Sequence, residues 1–110
     1  MHDDSLKNWQ KFSSLEQMGN IGSEVGRSIK AYRNNDTRAF EGALCRALDL
    51  FAMTAKTHAK THPHRVKEIL RAKEEYLRLF YDDNFQDAEK IESYFMNFAY
   101  AARYEKELKS

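Results

Sequence analysis

Apolar residues recur at intervals of three and four along most of the chain, the period of an amphipathic α-helix. The longest such pattern places six apolar side chains within about a third of a turn, at 100° per residue. These are Leu15, Met18, Ile21, Val25, Ile29 and Tyr32. We therefore predict one buried face on a helix that ends near Arg33.

Three glycines, Gly19, Gly22 and Gly26, project beside this predicted face. Each costs a helix about 1 kcal/mol relative to alanine, so three in one helix require an offsetting gain. Because glycine has no Cβ, a neighbouring helix backbone or a bulky side chain can come close. We expect either tight helix–helix packing or a small-molecule crevice along this edge.

Polar breaks divide the rest of the chain into three further helices. Turn-forming and capping residues occur at 34–37, 60–64 and 82–87, so we predict helices over about 37–57, 63–81 and from the last break to about 108. Ser13 with Glu16, or Ser14 with Gln17, has capping-box spacing, which predicts a break near Ser13. We expect Trp9 and Phe12, in the short lead-in, to cover one end of the bundle.

Each of these segments has an apolar face. The inward residues of 63–81 are predicted to be Val66, Ile69, Leu70, Tyr76, Leu77 and Phe80, with Leu79 off the face. Four amphipathic helices joined by short polar turns indicate one all-α domain, 1–110, folded as an antiparallel up-down four-helix bundle.

Composition and charge indicate the class of protein and its cellular location. The 110 residues are 42% hydrophobic and 32% charged, typical of a small globular protein. A net charge of +1 gives no general attraction to nucleic acid, and no apolar run approaches 18 residues. The single cysteine, Cys45, and an N-terminus unlike a signal peptide lead us to expect a cytoplasmic protein with no membrane span.

Lys73 falls in the middle of the apolar face predicted for 63–81. A buried ammonium must reach solvent, pair with a carboxylate or shift its pKa. One interpretation is therefore a snorkelling or paired lysine. The other is a contact to an anion or substrate in a crevice opposite the glycine edge.

Further polar residues are candidates for a site. Asn20 and Arg27 belong to a polar stripe on the first long helix, with Glu24 beside it. Arg46 borders the core face of the next helix, and Arg71 lies on the outer side of the third. Such positions are usually a solvated surface with weak ion pairs. The alternatives are an interhelical ion-pair network or, together with Lys73, a binding site for a small anionic ligand.

Two other groups have candidate functions. His58, His62 and His64 are weak candidates for a metal site, but Pro63 follows His62 and no obvious fourth ligand is near, so we predict a histidine-rich loop and no metal or cofactor.

Met96, Tyr100 and Tyr104 recur every four residues off the predicted core face. Such a row indicates a partner surface, with an ordinary scattered surface as the alternative.

Signatures of known helical enzymes are absent from the sequence. No arginine stands four to six residues before any histidine, as helical HEPN ribonucleases require. Glu89 and Glu92 form one acidic pair without the second pair of the all-α NTP pyrophosphohydrolases, and no Glu-x-x-His suits a di-iron bundle. The sequence therefore gives no catalytic residue, and the enzyme question stays open with a preference for no.

Four segments, NIGSEVGR at 20–27, ALCRALDLF at 43–51, EILRAKE at 68–74 and YFMNFAYAAR at 94–103, resemble a group of small, uncharacterised prokaryotic all-helical proteins. The resemblance implies a stand-alone helical domain and brings no assigned activity. It highlights Asn20, Glu24, Arg27, Arg46, Glu68, Arg71 and Arg103.

Two functions remain as hypotheses. The first is a non-enzymatic interaction module that self-associates, most simply as a dimer, or docks on a protein partner. The second is a small anionic-ligand or phosphate-binding protein, or an enzyme, with a crevice near Lys73 and the glycine edge. Nucleic-acid binding is disfavoured because no stacking residues accompany the basic positions.

Overall fold

Five α-helices and one 3₁₀ turn form the protein, in a computed structural model that describes the backbone of residues 3–109 and the side chains of 6–108. The chain is all-α, as predicted, and these residues include no strand. The helices are α1 (Asp3–Gln10), α2 (Ser14–Arg33), α3 (Thr37–His58), α4 (Pro63–Tyr81) and α5 (Ala88–Lys109), with the 3₁₀ turn at Phe85–Asp87.

The helix ends follow from local capping chemistry. Ser13 and Glu16 form the predicted capping box: the Ser13 N–H donates to Glu16 Oε1 at 3.0 Å, and the Glu16 N–H donates to Ser13 Oγ at 3.1 Å. Asp36 accepts from the Ala39 N–H at the start of α3. Asn35 and Asp83 take positive φ in the connections after α2 and α4, where such short polar side chains tolerate the left-handed region.

Helix α2 lies at the centre of the packing. It makes its most extensive contacts with α3 and α5, whereas α4 packs mainly on α3. Burial of apolar surface on these faces is the main source of stability. The core includes Met18, Ile21, Val25, Ile29, Leu44, Ala47, Phe51, Ile69, Tyr76, Leu79 and Phe95.

The glycine edge of α2 faces α5. A Cβ built on Gly22 would lie 2.7 Å from Phe95 Cβ, and one built on Gly19 would lie 3.3 Å from Ala99 Cα. At Gly22 helix α5 therefore approaches closer than a side chain would allow, whereas at Gly19 a side chain would require α5 to shift by a few tenths of an ångström. Gly26 is different, because a Cβ there would meet nothing within 4 Å. The close approach predicted from three glycines is thus made at two of them.

The lead-in covers one end of the helices. Trp9 in α1 is buried and its Nε1–H donates to Thr54 Oγ1 in α3 at 2.9 Å. Phe12 packs edge-on against the Trp9 ring, with centroids 5.6 Å apart, but stays 43% exposed. The predicted break lies between α1 and α2, and Trp9 contacts α3 from the α1 side of it.

The buried face of α4 differs from the predicted one. Ile69, Ala72, Tyr76 and Leu79 are buried at alternating three- and four-residue spacing, whereas Leu70 is 48% exposed. The prediction that Leu70 is buried and Leu79 is not was therefore wrong. Counting only large apolar residues shifted the expected face, since Ala72 is small and marks its true centre. As a result Lys73 lies at the flank, half-buried.

Tyr32 also departs from its predicted burial. It is 39% exposed and belongs to an aromatic cluster at the other end of the molecule, with ring centroids 4.7 Å from Phe85, 5.0 Å from Phe80 and 5.4 Å from Phe40. Such rings favour edge and tilted contacts, which these are. The cluster ties the ends of α2 and α4 to the start of α3 and the 3₁₀ turn.

Helices α4 and α5 meet only sparsely along their length, so a groove runs between them. None of the described helices combines the length and apolar character that a membrane span requires.

The glycine contacts lead to opposite expectations for two alanine substitutions. Gly22→Ala forces apart α2 and α5 at Phe95 Cβ, and overpacking of about 1–3 kcal/mol outweighs the gain in helix propensity. Gly26→Ala meets open space at an ordinary helical φ, so it should raise the free energy of unfolding by up to about 1 kcal/mol. Urea unfolding followed by circular dichroism measures both.

The two variants are matched, since each adds one methyl group to the same helix. Equal effects of Gly22→Ala and Gly26→Ala on the urea midpoint would contradict the account of the α2–α5 contact.

Candidate functional site

Glu24 joins α2 to α3 through two arginines. Its Oε1 accepts from Arg27 Nη1 at 2.7 Å and its Oε2 from Arg46 Nε at 3.0 Å. The carboxylate is largely buried, with 12% of its side chain exposed, whereas both arginines are more than half exposed. Three predicted site residues thus come together in the interhelical network that the sequence offered as an alternative.

The other predicted ligand contacts lie apart from Glu24. Asn20 lines a recess with Arg103 and Lys106, and Arg71 lines the groove between α4 and α5. Lys73 is half-buried and forms no ion pair with any carboxylate of the described chain. The recess beside the three glycines measures about 90 Å³ and Lys73 does not line it. No single crevice combines Lys73 with the glycine edge.

The three histidines have separate surroundings. His58 is 7% exposed, whereas His62 and His64 are exposed in the connection and at the start of α4. The His58 and His62 rings lie 5.6 Å apart, and His62 Nδ1 is 3.0 Å from the Thr61 hydroxyl. Within the described part of the chain, no group of three potential metal ligands converges.

A chain of buried polar groups connects α1, α2 and α3. The Trp9 Nε1–H donates to Thr54 Oγ1, whose own hydroxyl donates to the Leu50 carbonyl at 2.7 Å. The Gln17 amide Nε2 donates to the Trp9 carbonyl at 3.0 Å, and Gln17 Oε1 lies 3.0 Å from His58 Nε2. These bonds satisfy groups whose burial without partners would be costly.

The same bonds determine the tautomer of His58. Because Gln17 Nε2 is used as a donor to Trp9, Gln17 Oε1 faces His58 and must accept. His58 Nε2 therefore carries the proton, and in the neutral ring Nδ1 is an acceptor. Burial lowers the pKa of His58 below its ordinary value, and the nearby charges of Arg65 and His62 lower it further.

His58 lies on the wall of a partly open cavity, which we call the end cavity. Its volume is about 450 Å³, within the range of small-molecule sites. Apolar atoms form most of its surface, and Arg65, whose guanidinium donates to the Ser14 hydroxyl, is among its lining residues. The lining residues are Ser13, Ser14, Leu15, Met18, Thr54, His58, Arg65, Glu68, Ile69, Phe98 and Glu105.

The predicted interface residues lie on the outside of α5, away from the end cavity. Met96 is 50% exposed, Tyr100 61% and Tyr104 63%. Leu108, one further turn along, is 70% exposed. Four large side chains therefore form one row in solvent; we call it the α5 row.

Comparison of the chain with protein-family models, with characterised proteins and with solved structures finds no match. What the molecule does must therefore be argued from its own surfaces and cavities.

Sequence reasoning overlooked the buried polar chain and with it the end cavity. A signal was present, since the three- and four-residue spacing of Leu44, Ala47 and Phe51 continues through Thr54 and His58. In the sequence, polar residues at such positions indicate that the apolar face has ended. They are buried here because partners on α1 and α2 complete their hydrogen bonds.

The lowered pKa of His58 makes stability depend on pH. The folded state resists protonation, so this contribution is complete above the unfolded value of about 6.5 and is lost as pH falls towards the lower folded value. His58→Gln keeps a donor for Gln17 Oε1 without titrating. We expect urea midpoints of the native protein to fall relative to His58→Gln between pH 7.5 and about pH 5. A constant difference would contradict the assignment.

Removal of the Thr54 hydroxyl should destabilise the protein more than removal of the Thr57 hydroxyl. Thr54→Val leaves the buried Trp9 Nε1–H without an acceptor and should cost about 1–3 kcal/mol. Thr57→Val is the control, because the Thr57 hydroxyl bonds only the Met53 carbonyl of its own helix. Trp9 is the sole tryptophan, so its fluorescence in urea follows this end of the molecule. Equal losses in both variants would show that the Trp9–Thr54 bond contributes little.

Proposed function

We propose that the protein is a non-enzymatic, cytoplasmic interaction module that forms a homodimer through the outer face of α5. The observation that carries the proposal is the α5 row, in which Met96, Tyr100, Tyr104 and Leu108 are each at least half exposed. Large aromatic and methionine side chains are enriched at protein interfaces and are costly to leave in water as a continuous row.

The geometry of α5 suits a twofold contact. The row spans three helical turns of a rigid 22-residue helix, so two copies can pack along one another with each residue contributing twice. The opposite side of α5 is held against α2 through Phe95 and Ala99, which prevents the helix from rotating its aromatic residues inward. Burial in a dimer is then the available way to remove the row from water.

We also propose the finer topology, an antiparallel up-down bundle of α2, α3, α4 and α5. Its support is the brevity of the connections, which occupy residues 34–36, 59–62 and 82–87 and favour antiparallel neighbours. Cytoplasmic location is supported by the single, exposed Cys45, which suits a reducing compartment.

The dimer is tested by sedimentation equilibrium. We expect a mass near twice the 12.9 kDa of the chain, and a return to the monomer mass in the double variant Tyr100→Glu, Tyr104→Glu. Two carboxylates from each copy, four in all, buried in such a contact should weaken association by at least about 100-fold.

Tyr81→Glu is the matched control, because Tyr81 is 68% exposed but lies at the end of α4. It should leave the dimer intact. A native protein that sediments as a monomer at about 100 µM would contradict the proposal, as would equal dissociation by the Tyr81 control.

One observation supports the alternative function, a small anionic-ligand or phosphate-binding protein or enzyme. Arg27, Arg38 and Arg46 line an open recess of about 630 Å³ between α2 and α3. Glu24 pairs with two of these arginines and offsets part of their charge, so we rank this function second. A rise in Tm with inorganic phosphate that is lost in Arg46→Met would favour it over the module.

A further inference from the structure

One nitrogen of the buried His58 ring has no hydrogen-bond partner among the described residues. His58 is 7% exposed, and its Nε2–H donates to Gln17 Oε1, which leaves Nδ1 as the free nitrogen. Among the described side chains, no fully buried nitrogen or oxygen lacks a partner, so Nδ1 must be accessible. The accessible space that His58 lines is the end cavity.

The lone pair of Nδ1 determines what can meet it. Burial and the positive charge of Arg65 oppose a proton on His58, so the ring is neutral at pH 7 and Nδ1 accepts a hydrogen bond. The same two effects oppose any cation at this wall of the cavity. An anionic oxygen has no proton to share, so its lone pairs would repel that of Nδ1. A neutral N–H or O–H donor meets neither penalty.

The apolar lining determines the rest of the molecule. Leu15, Met18, Ile69 and Phe98 come from three different helices and line a volume of about 450 Å³, large enough for a one- or two-ring aromatic molecule. Methionine sulfur and phenylalanine rings contact aromatic rings favourably, beyond the gain from apolar burial. A flat aromatic body therefore suits this lining.

We propose that the end cavity binds a small neutral aromatic molecule with one N–H or O–H donor, such as an indole or a phenol. Its ring packs on Met18 and Phe98, and its donor bonds to His58 Nδ1. This site is independent of the α5 row, which lies on the outside of α5.

The proposal is tested by NMR titration of the ¹⁵N-labelled protein with indole and, separately, with benzofuran. The two probes have nearly the same shape, but benzofuran has a ring oxygen where indole has its N–H. We expect indole to shift amide signals around the cavity, at residues 13–18, 54–58, 65–69 and 98–105, with a Kd of about 1 mM or tighter. Benzofuran should bind about fivefold more weakly, because it leaves Nδ1 without a donor.

The variant His58→Gln assigns this difference to one nitrogen. The glutamine amide still offers an N–H to Gln17 Oε1, but it has a methylene group near the place of Nδ1. Both probes should still bind in the cavity of this variant, and the advantage of indole over benzofuran should fall below about twofold.

Four results would each overturn the proposal. The first two are absence of shifts around the cavity and shifts centred instead on Ile91 and Tyr94, which line the groove between α4 and α5. The third is equal affinity for indole and benzofuran in the native protein, or an indole advantage that persists in His58→Gln. The fourth is tighter binding of a charged analogue, tryptamine or indole-3-acetate, than of indole itself.

Discussion

The close contact between α2 and α5 is the constraint on which the rest of the structure depends. At Gly22 the Phe95 Cβ occupies the space that another side chain would need, and at Gly19 the backbone of Ala99 comes close enough to leave a side chain little room. Glycine weakens a helix, so these positions are favourable only because the dispersion and apolar burial gained by close packing exceed that cost. Interhelical ion pairs support the contact along its length, from Lys106–Glu16 at one end to Arg33–Glu92 at the other.

The packing of α5 against α2 determines what lies on the other two sides of α5. Because α5 is held against α2, it meets α4 only sparsely, and the groove between them widens into the end cavity beside His58. The outer side keeps the α5 row in solvent. The packing of α5 against α2 therefore leaves two surfaces open, the end cavity and the α5 row.

Most of the helical framework could be predicted from the sequence because its signals are local. The Ser13–Glu16 capping box, the polar turn before Thr37 and Pro63 at the start of α4 mark helix ends within a few residues. Which face of α4 is buried was predicted less well, since that depends on the neighbour: small Ala72 sits at the centre of the contact, and Lys73 is moved to the flank.

The candidate sites were predictable only in part, for the same reason. Glu24 was singled out beside the polar stripe of α2 and Arg46 beside the core face of α3, and they do meet. The bonds from Trp9 to Thr54 and from Gln17 to His58 join residues more than 40 positions apart. No spacing along a single helix indicates such partners, so the end cavity emerged only from the three-dimensional arrangement.

Nuclear Overhauser spectroscopy measures the central contact most directly. The account predicts strong cross-peaks from the Gly22 α protons to the Phe95 β protons and from the Gly19 α protons to Ala99, with weaker interhelical cross-peaks from the α protons of Gly26. Cross-peaks of equal strength at all three glycines, or none at Gly22, would contradict it.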